Sequence, residues 1–163
     1  MRKTRICILD AGPIIHLDEI DALRLLAELG QIYTTETVAA EVERHRPGAV
    51  ERAGVVVFRD VKSAGARITA VVSDFHLDPG ELSALMWAEE FGIDLFVSDD
   101  TEARGAAAAL GYLTIGTIGV ILEGMTDGHI TRREAIGLLE AIPERSTLHV
   151  QRRFLEKTIA RIR

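Results

Sequence analysis

Two short apolar runs do most to limit the folds open to this chain. Ile6–Leu9 (Ile-Cys-Ile-Leu) and Leu95–Val97 (Leu-Phe-Val) carry no polar residue at alternate positions. As strands they have two apolar faces, and each face needs cover. Val55–Phe58 is a third such run, and Ile32–Thr34 and Leu113–Ile115 are shorter candidates. The first strand is read over Arg5–Leu9, and both leading runs stop at acids: Asp10 after one, Asp99 and Asp100 after the other.

Helical patterns fill the intervals. Asp21–Leu29 reads as a helix closed by Gly30, and Thr35–His45 as a helix stopped by Pro47-Gly48. Ala64–Phe75 is read as another. Asp78-Pro-Gly-Glu81 opens a helix to Phe91, with Asp at the N-cap, Pro in the first turn and Glu three residues on. That is a capping box. Asp99-Asp-Thr-Glu102 repeats the spacing and opens an Ala-rich helix to Leu110, ended by Gly111. Further helices are read at Ile118–Glu123, Thr131–Ala141 and Leu148–Ile162. Strands alternating with helices predict an α/β fold, a three-layer α/β/α arrangement around a parallel sheet of about five strands. The 163 residues read as a single domain, 1–163, with the C-terminal helices from about 125 onward packing on it.

Composition removes several function classes. No apolar run approaches the roughly 18–20 residues of a membrane span. The basic start, Met1–Arg5, precedes an apolar run that breaks at Asp10 and Pro13, so no signal peptide is expected. Cys7 is the single cysteine, which rules out an internal disulfide and fits a reducing cytoplasm. Inside a strand it reads as a small core residue. No Cys/His cluster has zinc spacing. A net charge of −6 argues against a generic basic nucleic-acid binder. The charge is uneven, however: Glu144–Arg163 holds six Arg or Lys against two Glu, leaving about −10 on the rest.

The acids are the main functional signal. In open α/β sheets, ligands bind beyond the carboxyl ends of the strands, where Asp10, Asp99 and Asp100 fall. Glu41 lies three residues after Val38 and borders the apolar stripe of Val38 and Val42. Glu81 has Ala84, Leu85 and Ala88 as its i+3, i+4 and i+7 neighbours, in the middle of an apolar face. Each has a plainer reading: Asp10 as a turn residue or cap before Gly12-Pro13, Glu41 as a boundary residue, Glu81 as the capping-box partner of Asp78. Of the adjacent pair, one Asp caps the next helix, a task that Asp99 with Glu102 fits, and the other points into the site. Ser98 adds a hydroxyl that can orient a carboxylate or a water. Several carboxylates on one edge supply the oxygen ligands that Mg2+ or Mn2+ prefers, and such an ion makes a bound water a better nucleophile. Phosphodiester hydrolysis is a natural reaction for such a site.

Other polar residues read more plainly. His16, among Ile14, Ile15 and Leu17, is assigned to the core or its boundary. Arg44 and His45 suit a helix C-terminus. Arg104 lies one turn after Asp100, placed to pair with it or to touch a phosphate. The last helix carries Leu148, Leu155, Ile159 and Ile162 on one stripe and a basic face elsewhere, suited to packing or to RNA backbone.

Four segments in this order resemble the PIN domain (named for the PilT N-terminus), the fold of the VapC-type toxin ribonucleases. Ile8-Leu-Asp10-Ala-Gly-Pro-Ile-Ile-His-Leu17 resembles the family's opening strand with its Asp. Thr34-Thr-Glu-Thr-Val-Ala-Ala-Glu41-Val resembles its second motif. Gly80-Glu81-Leu-Ser-Ala-Leu-Met-Trp-Ala88 stands where the third acid lies, usually Asp. Phe96-Val-Ser98-Asp99-Asp100 resembles the last motif, in which Thr or Ser precedes an acid. The start at Leu9-Asp-Ala-Gly-Pro13 and the segment Leu110-Gly-Tyr-Leu-Thr-Ile-Gly-Thr117 are similar to an uncharacterised subgroup, and the likeness runs from about Arg5 to about Gly124.

The resemblance implies a metal-dependent ribonuclease. Asp10, Glu41, Glu81 and Asp99 or Asp100 would hold Mg2+ or Mn2+. Asp100 is preferred by its spacing from Ser98, with Asp99 as cap or supporting partner, and Ser98 and Arg104 in support. It also implies frequent homodimerisation, an antitoxin partner in toxin members, and a cytoplasmic setting. Glu at 81 lengthens the ligand arm. The alternative is a non-catalytic PIN-like module that binds nucleic acid or protein. A nucleotide-binding reading finds no G-x-G-x-x-G or P-loop after the first strand, and a dehalogenase-type site would need an acid where Gly12 stands.

Overall fold

The computed structural model describes residues 4–163. Its central strand is β1 (Ile6–Leu9). Beyond it on one side are β2 (Gln31–Thr35) and β3 (Val56–Phe58), and on the other β4 (Leu95–Val97) and β5 (Leu113–Ile115). The order is β3-β2-β1-β4-β5 and every pairing is parallel, with Cys7 beside both Ile32 and Leu95. Position in the sheet accounts for composition. Cys7–Leu9 and Leu95–Val97 are buried, whereas the edge strand β3 is exposed throughout. Buried Cys7 has its thiol pushed up to about 12, chiefly by desolvation, so it behaves as a small core residue.

Among the described residues ten helices surround the sheet: α1 (Ala11–Glu19), α2 (Arg24–Ala27), α3 (Glu36–His45), α4 (Ala49–Ala53), α5 (Ala66–Val72), α6 (Pro79–Phe91), α7 (Thr101–Ala109), α8 (Thr117–Thr126), α9 (Arg132–Arg145) and α10 (Arg152–Ile162). One layer is α5, α6 and α7, lying against β1, β2, β4 and β5. The other is α1, α2, α4 and α8, while α3 bridges α1 and α6. α9 packs on α8, and α10 on α9 through the buried Leu155 and Ile159. One continuous apolar core joins the layers. Among the described residues, no helix is long and apolar enough to cross a membrane.

Several boundaries differ from the sequence reading. Gly12-Pro13 lies inside α1 rather than in a turn. Pro13 occupies the first turn, where its missing N–H has no intrahelical partner to lose. The helix read over Asp21–Leu29 shrinks to α2, because Asp21 takes a positive φ of 57° in a turn after α1. At Gly30 (φ 137°) a Cβ would lie 2.4 Å from the Arg5 carbonyl oxygen, so the close approach of β1 demands glycine. α4 has no counterpart in the sequence reading. The helix read at Ala64–Phe75 is confined to α5. α8 begins at Thr117 and runs on to Thr126, and α9 continues through Pro143 to Arg145.

The last helix begins at Arg152, not at Leu148. Ser146 Oγ, Thr147 N and Thr147 Oγ1 all donate to the Glu19 carboxylate at the end of α1, at 2.9, 2.7 and 2.9 Å. These bonds hold residues 146–151 out of a helix, and Leu148 and His149 then pass beside the carboxyl edge of the sheet.

Candidate metal centre

The order β3-β2-β1-β4-β5 places a topological switch point between β1 and β4, the position at which α/β sheets bind ligands. A cleft of about 490 Å³ opens there, beyond the carboxyl ends of the two strands. Asp10, Glu41, Glu81, Asp99 and Asp100 all line it. Sequence positions spread over ninety residues thus meet at one surface.

Asp10 is fixed by both neighbouring elements. Its N–H continues the ladder to the Val97 carbonyl at 2.9 Å. Oδ1 accepts from Ala11 N at 2.8 Å and so caps α1, while Oδ2 accepts from Ser98 Oγ at 2.8 Å. Ser98 Oγ in turn accepts from Asp100 N at 3.1 Å. Ser98 therefore ties the end of β4 to the acid at the end of β1. Asp10 is only 5% exposed, and burial pushes its carboxyl up to about 7 against these two hydrogen bonds, with Asp78 and Glu41 adding repulsion.

Glu81 and Asp78 form the expected capping box: Glu81 N donates to Asp78 Oδ1, and Asp78 N to Glu81 Oε2, each at 2.8 Å. The Glu81 side chain nevertheless faces the cleft at 6% exposure. Burial raises it to about 7 against the Asp78 N–H bond, with Asp10, Asp78 and Asp100 adding to the rise. Glu41 is half-buried and is raised by burial and by Asp78. Gly80 makes room for it, since a Cβ there would lie 3.0 Å from Glu41 Oε2.

Of the adjacent pair, the cap is the other Asp from the one that the box spacing with Glu102 suggests. The N-cap of α7 is Asp100, whose Oδ1 accepts from Ala103 N at 2.9 Å. Glu102 does not complete a box, because its carboxylate accepts from His76 N instead. Asp100 Oδ2 has no hydrogen bond among the described residues and is open to the cleft. Asp99 is turned toward the loop before α8. Thr117 N reaches its Oδ1 at 2.6 Å, and Thr117 Oγ1 and His16 Nδ1 reach its Oδ2 at 2.6 and 2.7 Å. Burial works against the ionised form of Asp99, but the His16 and Thr117 bonds prevail and hold its carboxyl below the usual range. Gly116 permits the arrangement, since a Cβ there would stand 2.6 Å from Asp99 Oδ1.

Four cleft residues escaped the sequence reading. Asp78 was legible only as a cap, yet its charge acts on Asp10, Glu41 and Glu81. His16, at the border of the core, reaches the cleft through Asp99. Glu102 and His149 also line it. His45 keeps its helix-terminal role, with Nδ1 2.9 Å from the Glu41 carbonyl oxygen, and borders the same space. Arg104 forms no ion pair with Asp100; its Nη1 donates to the Ser98 carbonyl at 2.8 Å.

Among the described residues, no three His, Cys, Asp or Glu side chains already stand close enough together to grip one ion. The donor set nevertheless suits a hard divalent cation. It consists of carboxylate oxygens, and its two most buried members are held near 7 by burial and by repulsion from neighbouring acids, with no Lys or Arg paired to them among the described residues.

Comparison with known proteins agrees with the architecture. A family model described as a PIN domain matches residues 6–163. Among solved structures, the chain is similar to a PilT N-terminus domain protein from the hyperthermophilic archaeon Sulfolobus solfataricus P2. The TM-score is 0.55 at 16% identity, over 77% of this chain and 98% of that one. At that identity the likeness is one of fold. No curated protein matches the sequence.

Proposed function

This chain belongs to the PIN-domain family, and on that premise we propose that it is a divalent-metal-dependent endoribonuclease hydrolysing RNA phosphodiester bonds. The observation that carries this reading is the pair Asp10 and Glu81. They are buried acids at the switch point with no basic partner among the described residues and with carboxyls near 7. A divalent cation offsets such repulsion, and folds of this family commonly serve nucleases.

Asp10, Glu41, Glu81 and the free Oδ2 of Asp100 are the proposed ligands of Mg2+ or Mn2+. The bound ion would activate a water and offset phosphate charge. Ser98 orients Asp10. Asp99, locked by Thr117 and His16, supports the site rather than entering it, and Arg104, which donates to the Ser98 carbonyl, supports the end of β4. The resemblance to VapC-type ribonucleases extends the proposal to a toxin acting in the cytoplasm as a homodimer restrained by an antitoxin, with the whole chain as one domain.

One observation favours a second reading, a non-catalytic module that binds nucleic acid or protein. Glu81 already commits Oε2 to Asp78 N, and among the described residues no donor triplet stands preassembled. Cleavage decides between the two. Purified protein with Mn2+ or Mg2+ should cut single-stranded RNA, and Asp10→Asn should reduce cutting by at least a hundredfold. Equal cleavage by both proteins would sink the hydrolase reading.

A further inference from the structure

Beside the acid cleft runs a second space that plays no part in the reading above. It is a groove of about 690 Å³ between β5 and α8 on one wall and residues 148–154 on the other. Asp99, Thr101, Leu148 and His149 line both spaces, so groove and cleft adjoin. The groove walls are mixed in character: Ile118, Leu122 and Val150 are apolar, while Arg104 and Gln151 bring polar ends. That lining and volume match sites that hold flat, partly polar organic groups.

Phe154 stands at this groove with 54% of its surface exposed. Its ring pairs with no other described aromatic, in contrast to Tyr33, Phe58, Trp87 and Phe91, which pack together at the β2–β3 end of the sheet. Arg153, Lys157 and Arg161 repeat at i, i+4 and i+8 beside Phe154 and form one basic stripe on α10. None of the three has an ion pair among the described residues, whereas Arg152 and Arg163 are paired with Glu156 and Glu140.

We infer that this groove is a nucleobase subsite. An unpaired base flanking the phosphodiester in the acid cleft stacks on Phe154, and the strand's backbone continues along Arg153, Lys157 and Arg161. The inference rests on the proposed nuclease site for the position of the phosphodiester. Exposed aromatic rings beside cationic stripes bind single strands in this way, since every base offers a π-face and every nucleotide a phosphate. A duplex hides its base faces and would gain nothing from Phe154.

Binding by anisotropy tests this. In an Asp10→Asn background, a labelled 12-nucleotide single-stranded RNA is titrated against the parent, Phe154→Ala and Phe154→Trp. An oligomer of equal length without bases is the control. Phe154→Ala should weaken RNA binding about tenfold, Phe154→Trp should restore it, and the abasic oligomer should bind all three alike. Equal RNA affinity for parent and Phe154→Ala would overturn the subsite and would leave the groove to a protein partner. An equal loss for RNA and abasic oligomer would also overturn it, by removing stacking as the cause. The two proposals fail separately. Cleavage by wild type with Phe154-independent binding sinks the subsite alone, and Phe154-dependent binding without cleavage sinks the hydrolase alone. If neither binding nor cleavage occurs, both are sunk.

Discussion

At the scale of single residues, Asp10 carries a conflict that the fold maintains. Its folded carboxyl stands at about 7 against 3.8 for an ordinary Asp, because burial outweighs the bonds from Ser98 and Ala11. Between those two values the folded chain holds a proton that the unfolded chain has released. Stability therefore falls as pH rises through this window, and the full cost is present above about 7. Three pH units correspond to at most about 4 kcal/mol. Asp10→Asn should accordingly raise the melting temperature at pH 8 in EDTA by several degrees and change little at pH 4, which paired thermal melts would show. A lower melting temperature at pH 8 would mean that the carboxylate is already compensated within the fold. The same scale shows where sequence stops being informative. Asp10, Glu41 and Glu81 were legible because strand ends and helical periodicity report directly on which way a residue faces. The identity of the α7 cap was not, since both Asp99 and Asp100 have the spacing of one. Asp100 takes that place while Asp99 is bound by Thr117 and His16 beside Gly116, all distant in sequence. His16 was obscured by its apolar neighbours, and Asp78 by having an evident capping task.

Among elements, those with strong local signals emerged where the sequence put them. The capping box fixed the start of α6, and uninterrupted apolar runs marked β1 and β4. The departures occur where a remote contact or a helix position overrides a local rule. Pro13 and Pro143 both sit inside helices, and α10 starts late because Glu19 at the end of α1 holds residues 146 and 147. That tie has a functional side, for the held segment leads into Leu148 and His149, which wall both cleft and groove. Glu19→Ala leaves three donors without their acceptor at a half-exposed site, so stability should drop by only about 1–2 kcal/mol. RNA affinity should fall more than that small change suggests, by about fivefold or more. Denaturant unfolding and anisotropy on the same preparation would check the pair of effects. A loss of stability with unchanged affinity would confine the tie to folding.

Across the whole molecule, charge and topology divide the work. The parallel sheet with its switch point between β1 and β4 gathers acids at one edge, and the chain's excess cations lie in its last twenty residues. Both were foreseeable, one from alternating strands and helices and the other from counting charge. What could not be foreseen was that the start of α10 brings Phe154 to the groove that adjoins the acid cleft, since no local pattern reports where a terminal helix docks. With a single strand bound along the basic stripe of α10, Arg153, Lys157 and Arg161 together neutralise up to three phosphates. Replacing all three by Ala should make the slope of log affinity against log salt shallower by about 2. An unchanged slope would place the backbone elsewhere.

Anomalous diffraction from crystals soaked in Mn2+ shows whether the acids at the switch point hold a divalent cation. A peak is expected bounded by Asp10, Glu41, Glu81 and Asp100, with Asp99 still bonded to Thr117 and His16. A cleft without a peak at saturating Mn2+, with Asp10 still bonded only to Ser98 and Ala11, would contradict that cation site.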